Sequence, residues 1–362
     1  WSWRFIMSDF RIDKITNRAG DAGTQIAGIS TFSGTSGIQL PSGPTAYRGG
    51  RGRGIMSGGA TPTNQNVIEY IEIGTTGTAK DFGDLNAQRA APASCASSTR
   101  AIIAGGFHSS YQKTIDYVTI SSGGGAAEFG NMIDNNGYNG ATSDSTRGII
   151  AGGWASPRGA AANSTDPYNS NRIEFVTIST LGNSSDFGDL TMGRQTDGGL
   201  SNTTRGVFIS GATYGGPLAS YPSYSHTNIM DYITIQSKGN AEDFGDTGIP
   251  GWGSGKCSNT TRGIIASGYT NTPSTYHTAI HYITTATKGN SLSFGTLDYG
   301  GKSYIAGMAS AVRGVFAGGG PGPVNDIEYV TIPTLGNSVD FGTLGTAKSQ
   351  VSGSSDVHGG LG

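Results

Sequence analysis

The chain has 362 residues, a formal net charge of −2, 61 glycines and only 13% charged residues. Glycine stands far above its usual ~7% and charge far below its usual ~25%. No basic stripe is present for nucleic acid, and no apolar run approaches the ~18 residues that span a membrane.

At the N-terminus, Trp1 to Phe10 lacks the apolar centre of a secretory signal. Met7 opens Met-Ser-Asp-Phe and is read as the start, with Trp1–Ile6 as an upstream extension or a tag. The segment 9–50 lies outside any repeat, and its stretch Ile26–Leu40 is rich in Ser, Thr and Gly with scattered Ile and Phe. A piece this short cannot bury a core of its own, so extended β-structure docked on a partner is expected. The chain therefore divides into an attachment segment, 1–50, and a repeat region, 51–362.

Three landmarks recur six times in the repeat region. The first is an arginine before an apolar run: Arg53, Arg100, Arg147, Arg205, Arg262 and Arg313. The second is a strand-like Ile-(Glu/Asp)-(Tyr/Phe)-(Ile/Val)-Thr-Ile, with Glu69, Asp116, Glu174, Asp231, His281 and Glu328 at its acidic position. The third is Asp-Phe-Gly or a variant, with Phe82, Phe129, Phe187, Phe244, Phe294 and Phe341. From acidic position to Phe is always 13 residues, and from Phe to the next arginine 18, once 19. From arginine to acidic position the distance runs from 15 to 27. A constant frame with one elastic segment predicts a scaffold unit bearing one variable loop.

Each unit reads as four strands, in the third unit Gly198–Thr203 of the next arginine's approach, the Gly-Ile-Ile-Ala-Gly-Gly run, Ile173–Ile178 and Ser185–Leu190. Ile173, Phe175 and Thr177 alternate with Glu174, Val176 and Ile178, so both faces of that strand are apolar and covered. The Gly-rich second strand suits close backbone approach and is placed nearest the axis. Repetition of such units predicts an all-β, six-bladed propeller with almost no helix. Beyond Phe341 the chain supplies one more first strand, about Gln350–Asp356, and it is expected to complete the first blade and close the ring.

Few residues suggest catalysis. Asp-Phe-Gly lacks every kinase companion motif and recurs with Glu128 or Ser293 in place of Asp, so its Phe is read as an inter-blade plug and its Gly as a turn former. The repeat arginines are assigned backbone carbonyls as partners, because Arg262 persists where His281 and Ser293 replace both candidate acids. A ring of arginines holding an anion in the channel is the functional alternative. His108, His226, His277, His281 and His358 form no metal-ligand pattern, so neither metal nor cofactor is expected. Cys95 and Cys257 occupy the same position in opposed repeats, too far apart for a disulfide, and read as small buried thiols.

The elastic loops are aromatic. They carry Phe107, His108 and Tyr111; Trp154 and Tyr168; Tyr214, Tyr221, Tyr224 and His226; Tyr269, Tyr276 and His277. Trp154, Tyr168, Tyr214, Tyr221, Tyr224, His226, Tyr269 and Tyr276 are the candidate ligand-binding set. Rigid rings with apolar faces and polar edges suit wet, flat surfaces such as sugars. Packing of the loops themselves, or contact with a neighbouring subunit, accounts for the same residues.

The order of apolar run, Gly-Gly, variable loop, strand, aromatic, Leu and basic residue resembles the kelch repeat, with pairs at Gly58-Gly59, Gly105-Gly106, Gly152-Gly153 and Gly318-Gly319. Ser210-Gly211 and Ser267-Gly268 depart from it, and Phe stands where kelch has Trp. The phrasing Thr146-Arg147-Gly148 … Ile173–Ile178 … Asp186–Leu190 is similar to kelch-like repeat proteins of tailed bacteriophages, and Asp13–Gly20 to N-terminal segments of phage tail-fibre proteins. This resemblance implies a structural protein on the virion surface. It would join other virion proteins through residues 9–50, pair with further copies of itself, and display the propeller to a host-surface glycan or a neighbour. Nucleic acid and membrane insertion are not expected. A secreted or cell-surface carbohydrate-binding protein and a glycan-acting propeller enzyme are the other readings.

Overall fold

The computed structural model describes residues 52–156, 168–196, 198–214 and 224–361. The proposed attachment segment 1–50 lies outside the described residues. Short runs rich in β-branched residues and bounded by glycine form strands, and these pair into six antiparallel sheets of four strands. In the third blade the order from inside to outside is Gly140–Ser143, Arg147–Ala151, Arg172–Thr177 and Ser185–Asp189. Every blade carries a β-bulge between its third and fourth strands, as between Ile173 and Glu174, which tightens the twist a wedge needs.

The inner strands touch their neighbours in an unbroken cycle, which makes the array a six-bladed β-propeller. Closure is made by the end of the chain. Ser352–Ser355 pairs with Arg53–Ser57 in the first blade, Ser355 opposite Gly54 and Ser352 opposite Ser57. The innermost position belongs to the first strand of each unit, not to the Gly-rich second strand as the sequence suggested. The inner strands are only three or four residues long and dominated by Ser, Ala and Gly, small enough to crowd an axis.

Six apolar clusters fill the six gaps between blades, and each contains one triplet Phe set against the next blade. Phe129 packs with Ile150, Val176 and Ile178, for example. Each Phe meets the edge of a Tyr or Phe from its own third strand at 6.0–6.1 Å. The repeat arginine lies over that second ring at 4.5–5.0 Å. All six arginines donate to a backbone carbonyl of the following blade at 2.7–3.1 Å: Ile120, Ile178, Ile235, Ala286, Ile332 and Ile73. They are staples between blades and do not line the channel.

The triplet glycine has a different role from the one its sequence suggested. It sits within the outer strand, where the next blade's turn between third and fourth strands hydrogen-bonds to that strand. Gly182 N donates to Phe129 O at 2.9 Å and Ser184 N to Asn131 O at 2.9 Å, and the pattern recurs around the ring. A Cβ at Gly83, Gly130, Gly188, Gly245, Gly295 or Gly342 would meet the neighbouring turn at 2.1–2.7 Å. Close approach, not a following turn, demands glycine here. The two cysteines are likewise fillers: each Sγ would stand 2.8 Å from a Cβ at Gly148 or Gly314 of the next blade. Burial pushes the Cys95 thiol up to about 12 and raises that of Cys257 as well.

Candidate functional site

Antiparallel pairing fixes which loops share a face. The start of each inner strand lies beside the end of the second strand, as Gly140 beside Ala151. The variable loops therefore open on the same face as the connections that lead from each outer strand to the next inner strand. On the opposite face, residues 358–361 cap the channel. His358 Nε2 donates to Ala96 O at 2.8 Å, and Gly359–Leu361 forms a buried helical turn. Between the two faces lies a cavity of about 100 Å³ lined by the six inner strands. Serine hydroxyls stitch these strands together: Ser143 to Ala96 O, Ser201 to Ser143 O, Ser258 to Ser201 O and Ser355 to Ala309 O, at 2.6–2.8 Å.

On the loop face the predicted aromatics fall into one connected array. Trp154 begins a short strand paired with Asn135–Gly137, and its ring lies 5.2 Å from Tyr168 and 6.2 Å from Tyr224. Phe107 reaches Tyr111 at 5.2 Å, and Tyr111 stacks toward Trp154 at 6.5 Å. Tyr269 and Tyr276 face each other at 4.7 Å across a hairpin formed by Tyr269–Asn271 and Ser274–Tyr276. His226 stands 6.4 Å from Tyr269. Tyr214 is placed by its backbone alone, opposite Tyr224, and Tyr221 lies outside the described residues.

Three members of the array were not singled out from the sequence. Trp252 is its hub, 4.8 Å from Tyr224, 5.6 Å from His226, 5.9 Å from Tyr304 and 6.3 Å from Tyr269. Tyr138 and Tyr304, on opposite blades, meet over the channel mouth at 6.0 Å. Both have φ of +57°, a left-handed backbone that disfavours non-glycine residues by roughly 1–2 kcal/mol. A collar of backbone bonds holds them there. Tyr138 N donates to Ala91 O, Ala91 N to Gln350 O, Gln350 N to Tyr304 O and Tyr304 N to Gly253 O, at 2.6–3.1 Å. A signal was present: Tyr138 and Tyr304 each precede a repeat arginine by nine residues, and Trp252 precedes Arg262 by ten.

The array is half-buried, with Tyr276 the exposed member. Burial, then the Tyr138 and Tyr224 phenols, push the Tyr111 hydroxyl above its usual range. Burial and the nearby His277 hold His226 below the ordinary imidazole value, so it is neutral at pH 7. Trp252 Nε1 and His226 Nε2 are both buried and make no hydrogen bond. The basic residues of the connections on this face are already engaged. Arg89 pairs with Asp116 at 2.8 Å, Arg194 with Asp231 at 2.7 Å and Lys348 with Glu69 at 2.6 Å. Lys302 pairs with Asp326 and Glu328. Each of these pairs joins one blade's connection to the next blade's third strand. The third blade lacks the cation, having Asn136 at that place. There Glu174 accepts Ser184 Oγ at 2.5 Å and Ile133 N at 3.0 Å, and burial raises its carboxyl.

Among the described residues no three His, Cys, Asp or Glu are grouped to hold a metal ion, and no helix is long and apolar enough to cross a membrane. In fold the protein is a six-bladed β-propeller with an aromatic loop face. No protein-family model matches the chain, and no curated protein is significantly similar to it.

Proposed function

We propose that this propeller is a non-catalytic recognition module on a virion surface and that its aromatic face binds a host-surface saccharide. One observation carries the reading. Ten aromatic side chains and His226, from four variable loops and the connections between them, lie in continuous ring contact on one face and stay half-exposed. Loops that only packed themselves down would bury their rings within each loop. Here the contacts cross from blade to blade, which builds a broad, rigid platform. Rings of this kind present large area at little conformational cost, and their polar edges suit a hydroxyl-rich partner. The phage-like phrasing of the repeats supplies the virion setting. Attachment through residues 9–50 belongs to the same reading.

The test is direct. Purified full-length protein, labelled, is applied to host cells and to the saccharide stripped from their surface, beside Trp154→Ala and Tyr224→Ala. Saturable binding by the wild type, weakened in both variants with the melting temperature retained, is the expected result. Wild-type protein that ignores cells and saccharide while associating through this face with another virion subunit would overturn the reading.

A further inference from the structure

Trp252 is the most connected ring on the loop face, and its indole N–H points at nothing that accepts it. An orphaned buried donor of this kind costs about 1–3 kcal/mol, and native structures keep few of them without a purpose. The neighbouring imidazole repeats the pattern. His226, 5.6 Å away, has its Nε2 buried and unbonded. Two neighbouring rings, each with a buried polar atom that has no partner, stand among Tyr224, Tyr269 and Tyr304 and define a polar socket in an aromatic frame.

We propose that Trp252 and His226 form the orienting centre of the ligand site and that its ligand is a neutral, hydroxyl-bearing sugar ring. This rests on the recognition reading above and specifies its chemistry. One sugar hydroxyl accepts from Trp252 Nε1, and another pairs with His226 Nε2, while the ring stacks on the aromatic frame. Neutrality follows from charge. An anionic sugar needs a spare cation at the socket, and among the described residues of the adjoining connections and inner strand Arg194 and Lys302 are held by carboxylates while Lys256 Nζ donates to Thr196 O. A purely apolar ligand would leave both polar atoms orphaned. Both atoms are covered in the structure. Admission therefore requires the hairpin whose Tyr269 lies 6.3 Å from Trp252 and 4.7 Å from Tyr276 to move aside.

The experiment uses full-length protein on an array of neutral hexose oligomers alongside sialylated and sulfated ones, with Trp252→Phe and His226→Phe as variants. Trp252→Phe keeps an aromatic ring and deletes only the donor with its small ring. It should weaken binding to the preferred neutral oligomer at least about tenfold while the melting temperature is unchanged or raised, because an orphan donor is gone. A packing role alone predicts the reverse, a lowered melting temperature with affinity intact. Wild-type binding that persists in both variants refutes the socket and leaves the recognition reading standing. Preference for sialylated or sulfated oligomers refutes neutrality and does the same. A wild type that binds nothing on the array, and no host saccharide, removes both.

Discussion

Replacing Arg194 by Met should be far more damaging than replacing the half-buried repeat arginine Arg147 by Met, although both remove one guanidinium. Arg194 and Asp231 are wholly buried, with Nη1 2.7 Å from Oδ2. Arg194 also donates to Ser210 O at 2.9 Å and Met192 O at 3.2 Å. After the change Asp231 keeps only Thr191, whose Oγ1 and N lie at 2.6 and 3.3 Å. Stripping one partner from a buried pair costs about 3–5 kcal/mol, mostly because the other charge stays behind. Arg147 loses less: one bond to Ile235 O at 3.0 Å and a ring contact at 5.0 Å, together about 1–3 kcal/mol. Urea midpoints followed by circular dichroism measure the difference, compared at constant slope. The pair Arg194→Met/Asp231→Asn neutralises the stranded charge while keeping the Thr191 contact, and should recover at least half of the loss. Equal midpoints for the two single variants, or a double variant as weak as Arg194→Met, would refute the reasoning.

Removing residues 350–362 deletes the inner strand of the first blade, so the protein should lose its cooperative melt and aggregate on size exclusion; a monodisperse product with an unshifted melt would contradict closure by this strand. Gly130→Ala places a Cβ 2.2 Å from Gly182 O, and overpacking of that kind should lower stability by about 1–3 kcal/mol in urea titration. Acidification should also weaken the fold. Burial lowers His226, His277, His281 and His358 from 6.5, so their neutral forms favour the folded state at high pH, and that contribution fades as pH falls below about 6.5. Glu174 and Glu328 are raised from 4.5 by burial and act in the opposite sense, regaining stability as they protonate toward 4.5. Midpoints should fall as pH drops below 6.5, most plainly in a Glu174→Gln/Glu328→Gln variant that lacks the opposing carboxyls; a flat profile in that variant would count against buried neutral histidines.

The blade count was legible because its landmarks are backbone facts. Thirteen residues from acid to Phe is the length of one turn and its two flanking strands, and it cannot vary without breaking the bulge. The closing strand was legible for the same reason. Radial order was not, since Gly-Gly marks the tight bend after the second strand, where Gly152 and Gly153 have φ of +68° and +99°, and says nothing about the axis. The face was half-visible. Trp154, Tyr224 and Tyr269 stood out by sitting in elastic loops, whereas Trp252, Tyr138 and Tyr304 sit in connections of nearly constant length. Tyr138 and Tyr304 owe their prominence to an unusual backbone angle and to the meeting of opposite blades, neither of which their spacing to the repeat arginine records.

The turn that each blade lays along its neighbour's outermost strand has a consequence for assembly. At all six junctions two carbonyls of the outermost strand accept N–H groups of the neighbouring turn, and at four of them an Asn Oδ1 of that turn accepts a strand N–H. A foreign polypeptide therefore finds the rim already partly taken as a template for extending a sheet. Edge-to-edge fusion of neighbouring copies is thereby discouraged.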